Sequence, residues 1–286
     1  MSKVKIVIDS TTSLPKEMAA KYDIRIAPNT LIWEGIEYRD GIDIEAGDFY
    51  KRLVTSKEMP TTAAVSTFSF REIFKELTGA GHDVLGIFPN RNFSAIPLNA
   101  LMAKEELGKD NVIVFETDIL AMQIIWAAIF CGRAAEKGAS LQECHTLAKE
   151  VVERGAGFGM LDTLEFLERG GRIGKAQRLV GTMLNFKPIL EVVDREMTGV
   201  ARVRTQKKGM EMIISMAVER AQGHQPVYLA GLYTSSPDQS IELLERAAAE
   251  LNPVETFMYG YGPNAGAHLG PGAMGLTMVS GVQSPD

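Results

Sequence analysis

The chain has 286 residues, 45% hydrophobic and 23% charged, the balance of an ordinary globular protein with length enough for one large core or two smaller ones. Its net charge of -6 argues against a nucleic-acid-binding surface, and its longest apolar stretch, residues 119–131 broken at Gln123, is shorter than the ~20 residues of a membrane span. The two cysteines, Cys131 and Cys144, and the histidines at 82, 145, 224 and 268 lack the paired spacings of a zinc site. Both thiols read as reduced, in a cytoplasmic protein, and no metal or cofactor is expected.

Residues 4–8 are continuously apolar apart from Lys5, the pattern of a buried strand. No apolar h-region or cleavage site follows, so the N-terminus reads as this strand and not as a signal peptide. Asp9, Ser10, Thr11, Thr12 and Ser13 come next, and then Leu14 and Pro15 open a helix. Residues 31–38 read as a hairpin turning at Glu34 and Gly35. A helix near 47–55 and an amphipathic helix over 68–77 precede a strand over 83–88. A helix over 94–107, a strand over 111–115 and a helix over 119–131, buried on most sides, complete this half. Ser140 and Glu143 form a capping box for a further helix. Strands alternating with helices imply crossover connections and a mainly parallel sheet, whose ligands sit beyond the carboxyl ends of strands. Three hydroxyl-bearing segments, 9–13, 61–66 and 90–94, lie at or near such ends.

The second half changes character. Residues 158–161 read as a short strand, and Asp162 and Glu165 as caps of a helix that stops at Gly170 and Gly171. Two strands, 187–193 and 199–205, are joined by a turn near Glu196. A helix over 207–221, a strand over 227–233 and a helix starting at Ser236, with Pro237 at its first position, lead to strands around 254–258 and 274–279. Three glycines within 155–159 mark the expected boundary. The fold class is therefore two-domain α/β: an N-terminal domain over 1–157 with a mainly parallel sheet flanked by helices, and a C-terminal α/β domain over 158–286 with a mixed sheet. Between the last two strands, residues 262–275 hold five glycines, two prolines and His268. That density suggests a shaped loop. It is either a tight turn with an incidental histidine or a rigid mount for a donor, an acid–base group or a nucleophile.

Other constellations carry the same two-sided reading. Thr61, Thr62 and Ser66 bracket Ala63, Ala64 and Val65, and Ser94 follows Asn90, Arg91 and Asn92 at the start of a helix. Such hydroxyls cap the helix backbone or hold an anion beside free N–H groups. Arg169, Gly170, Gly171 and Arg172 present fixed donors to a carboxylate or phosphate, or end a helix with charges that oppose its dipole. Arg202 and Arg204 share one face of a strand. With Lys207 and Lys208 they form a basic patch for an acidic partner or a solvated face. No GxSxG elbow, Walker A loop or GxGxxG spells out a catalytic machine.

Taken in order, several motifs are similar to those of the DegV family of bacterial fatty-acid-binding proteins, over nearly the whole chain. Asp9, Ser10, Thr11, Leu14 and Pro15 match DSTxxLP; Tyr38, Asp40 and Gly41 match YxDG, with the aromatic pair Phe49 and Tyr50 behind it. Residues 170–173 match GGRI, 187–190 match KPIL, and Arg204, Lys207 and Lys208 match RxxKK. His268, Gly270, Pro271, Gly272 and Ala273 match HxGPGA. The resemblance implies two α/β domains with a lipid tunnel between them, and a fatty-acid carboxylate held by Thr62, Ser94 and His268. It implies Ser10, Arg172, Arg204 and Gly270 as further head-group or partner contacts. It also implies a protein that is not itself an enzyme but presents its ligand to a separate fatty-acid kinase, which makes the acyl phosphate. The chain departs from the family pattern where Asn90 and Arg91 replace a serine pair, where Ala95 and Ile96 follow Ser94, and where Ala63, Ala64 and Val65 follow Thr62.

A long acyl chain suits such a role physically. Each buried methylene contributes about 0.8 kcal/mol, so roughly 16 carbons offer on the order of 10 kcal/mol before ordering and association costs. The carboxylate needs only satisfied hydrogen bonds. Some of the 14 methionines suit an adaptable lining, although most belong to ordinary core. The alternative is a small-molecule phosphotransferase-like enzyme resembling the dihydroxyacetone kinase fold, in which a histidine holds a carbonyl substrate covalently. A third reading is an interaction module with the tunnel closed.

Overall fold

The apolar run at the N-terminus is buried on both of its sides, and the architecture follows from what covers it. The computed structural model describes residues 3–180 and 186–285. In its first half the chain runs β1 (Val4–Asp9), α1 (Lys16–Lys21), β2 (Ile24–Ala27), β3 (Thr30–Trp33), β4 (Ile36–Arg39), α2 (Ala46–Leu53), β5 (Thr61–Ala63), α3 (Thr67–Gly79), β6 (Asp83–Phe88), α4 (Ile96–Leu107), β7 (Val112–Glu116), α5 (Ala121–Glu136) and α6 (Leu141–Arg154). It continues through β8 (Gly155–Met160), α7 (Glu165–Arg169), β9 (Lys187–Val193), β10 (Glu196–Val203), α8 (Gln206–Ala221), β11 (Val227–Tyr233), α9 (Asp238–Leu251), β12 (Glu255–Gly260), α10 (Pro263–Leu269) and β13 (Met274–Ser280).

Four strands, in the order β2-β1-β6-β7, make an all-parallel sheet. Val4, Ile6 and Ile8 of β1 pack with α5, whereas Val7 packs with residues of α3 and α4. Both faces are covered, which is why β1 carries no polar alternation. A six-stranded mixed sheet has the order β10-β9-β8-β13-β11-β12, antiparallel except between β11 and β12. Phe158, Ile189, Leu229 and Leu276 on one of its faces meet Ile213 of α8 and Leu243 of α9. Tyr228, Ala230 and Leu232 on the other meet α5. Helix α5 is thus a slab shared by both sheets. Its residues from Ile124 to Cys131 are all fully buried, and a helix in that setting is apolar all round. Trp126 edges against Phe130, Tyr228 and Phe257. A smaller antiparallel sheet, β4-β3-β5, completes the fold.

Several expectations meet the structure directly. The β3–β4 hairpin turns at Glu34 and Gly35, both at positive φ, and Ser140 and Glu143 close the capping box of α6. Others are corrected. Strands β2 and β5 were not foreseen; β5 has no apolar run and owes its pairing to β3, where Leu31 meets Thr62. The turn between β9 and β10 lies at Asp194 and Arg195, both at positive φ, so β10 begins earlier than 199. Asp162 pairs with Lys187 instead of capping α7, where Thr163 Oγ1 accepts the Glu165 amide. Pro237 precedes α9 and does not open it.

The largest correction concerns the glycine-rich stretch, which contains a helix, α10, and not only a loop. Pro263 sits in its first turn, where a proline loses no hydrogen bond, and Gly270, at φ +71, ends it. The two cysteines lie where α5 meets α6: Cys131 Sγ donates to the Cys144 carbonyl at 3.2 Å. Burial pushes both thiols up, that of Cys144 to about 11.

Because α5 serves both sheets, truncating it should unfold the molecule as one. Phe130→Ala is expected to cost about 3–5 kcal/mol, checked by urea unfolding followed by circular dichroism.

Candidate functional site

Past the carboxyl ends of β1 and β6, where α5 begins, the two larger sheets leave a cavity of about 250 Å³. This is the position that a parallel sheet offers a ligand. Most of its wall is apolar: Phe93, Leu120, Met122, Leu161, Leu167, Leu190, Val192, Met197, Leu232, Leu269 and Met274. Its polar wall comprises Thr11, Asn29, Thr62, Ser94, Arg172, Glu191, Tyr261, Asn264 and His268, with Glu191 paired to Arg220.

His268 sits in the last turn of α10, and its Nε2 lies 2.8 Å from Thr62 Oγ1 on β5. The ring rests against Gly170, where an added Cβ would collide with Nδ1. Nδ1 is buried and has no hydrogen-bond partner among the described residues. Burial, and then the positive charge of Arg172, push the His268 pKa down to about 4. The ring is therefore neutral at pH 7. A proton on Nδ1 would be a buried donor with nothing to meet, so the proton belongs on Nε2. That N–H donates to Thr62 Oγ1 and leaves the threonine's own hydrogen for a ligand.

Arg172 closes the same corner. Its Nε donates to the Phe93 carbonyl at 3.0 Å and its Nη1 to the Gly170 carbonyl at 2.6 Å. The guanidinium therefore braces the turn behind the imidazole while it lines the cavity. Ser94 Oγ accepts the Ile96 amide at 3.3 Å at the start of α4, which leaves its hydrogen unassigned. The backbone-capping role and a place on the cavity wall coexist at this serine.

The remaining expected contacts lie elsewhere. Ser10 is buried behind the wall, and its Oγ accepts from the backbone and side-chain nitrogens of Asn29. Arg204 is exposed, its guanidinium over the Phe186 ring beside Arg202. Gly270 ends α10 against the Phe166 ring and is not on the wall. Of the residues that depart from the family pattern, Ala63, Ala64 and Ala95 line the cavity. Arg91 is tied to Glu116.

Sequence reasoning missed Thr11, Asn29, Glu191, Tyr261 and Asn264 as wall residues. Asn264 was accessible in principle, because once α10 is a helix it lies one turn before His268 on the same face. Asn29 gives no local signal. It is a buried hub whose side chain accepts the Val65 amide and donates to Asp9 and Ser10. Among the described residues no group of three or more His, Cys, Asp or Glu gathers to hold a metal, and no helix is long and apolar enough to cross a membrane.

Two outcomes follow from this geometry. Gly170 has an ordinary φ of -76, so Gly170→Ala strains no backbone but forces the imidazole off Thr62. Its ring should then titrate nearer 6.5, measured by NMR. The second concerns pH. The folded protein keeps His268 neutral to about pH 4, whereas the unfolded chain protonates it near 6.5. The unfolded state binds more protons between those values, so stability falls as pH drops through that window, by about 3 kcal/mol from this group. Asp40 acts in the opposite sense: burial and the charge of Asp9 raise it to about 6, against hydrogen bonds from Ser10 and Asn264. Its contribution therefore grows as pH falls below 6. Comparing His268→Gln with the unaltered protein isolates the histidine: as pH falls from 6.5 to 4 the variant's urea-unfolding stability should gain on the parent's by about 3 kcal/mol.

Comparison with known proteins places the chain. A family model described as uncharacterised protein, DegV family, matches residues 3–281. A DegV domain-containing protein of Listeria monocytogenes is 31% identical over 280 residues, covering 96% of this chain and 98% of its own. Among solved structures, a DegV family protein from Thermus thermophilus, described by its fatty acid binding, superposes with a TM-score of 0.92 at 27% identity, covering 97% of this chain and 99% of that one. DegV of Bacillus subtilis, described as a fatty acid binding protein, superposes with a TM-score of 0.88 at 26% identity, covering 98% and 100%. With its full-length match and its parallel and mixed sheets, the chain belongs to the DegV family.

Proposed function

We propose that this protein binds a long-chain fatty acid, with its carboxylate on Thr62, Ser94 and His268 and its acyl chain along the apolar wall. The observation that carries this reading is the contrast within one cavity. Apolar side chains make most of the wall, and a neutral imidazole paired to a threonine hydroxyl stands at its polar side. The Thermus thermophilus and Bacillus subtilis relatives, both described by fatty acid binding, support it.

The chemistry needs no cofactor and no nucleophile. An arriving carboxylate can accept from the Thr62 and Ser94 hydroxyls, with the His268 Nε2–H holding the Thr62 oxygen so that its hydrogen faces the ligand, which meets the cost of its burial. The anion also favours the charged imidazole. Binding therefore draws a proton onto His268 and raises its pKa from about 4. Arg172 adds positive charge at the same corner, although two carbonyls hold its guanidinium. Affinity comes mainly from the methylenes, at about 0.8 kcal/mol each, and the adaptable side chains of Met122, Met197 and Met274 on the wall suit chains of varied shape.

In this reading the cavity is an acyl tunnel, and residues 1–157 and 158–286 act as two domains that close on it. The protein works in the cytoplasm and presents the carboxylate to a separate kinase. The exposed Arg204, Lys207 and Lys208 offer that partner a basic surface.

Mass spectrometry of an organic extract of the purified protein tests the binding. One long-chain fatty acid per chain is expected, with retention at least ten-fold lower in His268→Ala and Thr62→Val. A protein that carries only polar metabolites, or variants that retain lipid as well as the parent, would overturn the reading.

A further inference from the structure

Helix α10 has seven residues, too few to hold its shape alone, yet it carries the histidine of the site. Its start is tied down by residues from the first half of the chain. The Asn264 amide donates to Asp40 Oδ1 at 3.1 Å, and the Gly262 amide donates to Ser13 Oγ at 3.0 Å. Tyr50 Oη donates to the Tyr261 carbonyl at 3.1 Å. Gly266 faces the Phe49 and Tyr50 rings so closely that a Cβ there would collide with both. These contacts fix where the helix begins, and His268 projects from the same face as Asn264, one turn later.

Asp40 is the member of this dock that packing alone does not explain. It is 4% exposed, and a carboxylate is a costly group to bury. Its own amide donates to the Asn29 carbonyl at 2.9 Å, so it stands on the hub that also lines the cavity. The buried carboxylate of Asp9 lies near enough to raise the pKa of Asp40, so charge repulsion opposes the arrangement. What Asp40 provides in return is an acceptor for an α10 amide.

We infer that Asp40 is the positioning residue for His268: by accepting the Asn264 amide it sets the start of α10, and through the helix it holds the imidazole against Thr62. This rests on the reading of His268 as a fatty-acid ligand, but it concerns the ring's position and is testable without lipid.

The experiment compares the full-length protein with Asp40→Ala and Asp40→Asn. One readout is NMR titration of the His268 ring, assigned by its loss in His268→Gln. The other is retention of added oleate after gel filtration. In Asp40→Ala the ring should titrate nearer 6.5 and oleate retention should fall at least ten-fold. Asp40→Asn keeps an oxygen that can accept the same amide, and should stay within about two-fold of the parent with its ring titration unchanged. Should Asp40→Ala fail to accumulate, Asp40→Ser replaces it, since its hydroxyl stops short of the amide and the same losses are expected. A folded Asp40→Ala or Asp40→Ser with parental titration and retention would overturn the inference, and so would an Asp40→Asn as impaired as either. If the parent itself retains no oleate while the Asp40→Ala ring still shifts, the inference stands and the fatty-acid reading falls.

Discussion

A single hydrogen bond, from the imidazole of His268 to the hydroxyl of Thr62, joins positions 206 residues apart in sequence, and the arrangement of the cavity depends on it. An imidazole placed against an apolar wall must find a partner or lose the stability of its surroundings. The threonine gives it one, and the neighbouring elements exist in the positions that make this possible. β3 holds β5 in register, the Gly170 turn leaves room for the ring, and Arg172 braces that turn from behind.

The rest of the fold explains why a cavity forms at this place. Parallel strands stop together at one edge of the first sheet, and α5 fills the space between sheets only from its own first turn onward. The cavity is then a by-product of a long apolar helix that starts late, lined on one side by strand ends rich in hydroxyls and amides and on the other by leucines and methionines.

Much of this architecture was legible in the residues themselves. The unbroken apolar run at 4–8, the Glu34-Gly35 turn, the Ser140 and Glu143 cap and the all-apolar stretch before Cys131 each have one dominant physical reading. The elements that escaped were those whose structure is imposed from a distance. β5 is a strand only because β3 pairs with it, and α10 is a helix only because Ser13, Asp40 and Tyr50 hold its start. A run of glycines and prolines read locally says loop. Within the site, Thr62, Ser94, Arg172 and His268 reached one wall, while Ser10, Arg204 and Gly270 did not. The latter three sit beside it in sequence motifs, but their side chains or backbone serve packing, solvent or a helix end. Asn29 shows the limit most clearly, since its whole importance lies in partners up to 36 residues away.

The pair of buried thiols at the junction of α5 and α6 has a practical corollary. Neither sulfur meets solvent in the closed molecule, and burial keeps both in the unreactive protonated form. A thiol-directed dye can label them only during moments when the central helix lifts away from its neighbour. The same helix borders the cavity, so the pace of labelling is a built-in clock for how often the interior breathes, and an occupant lodged beside that helix would slow it.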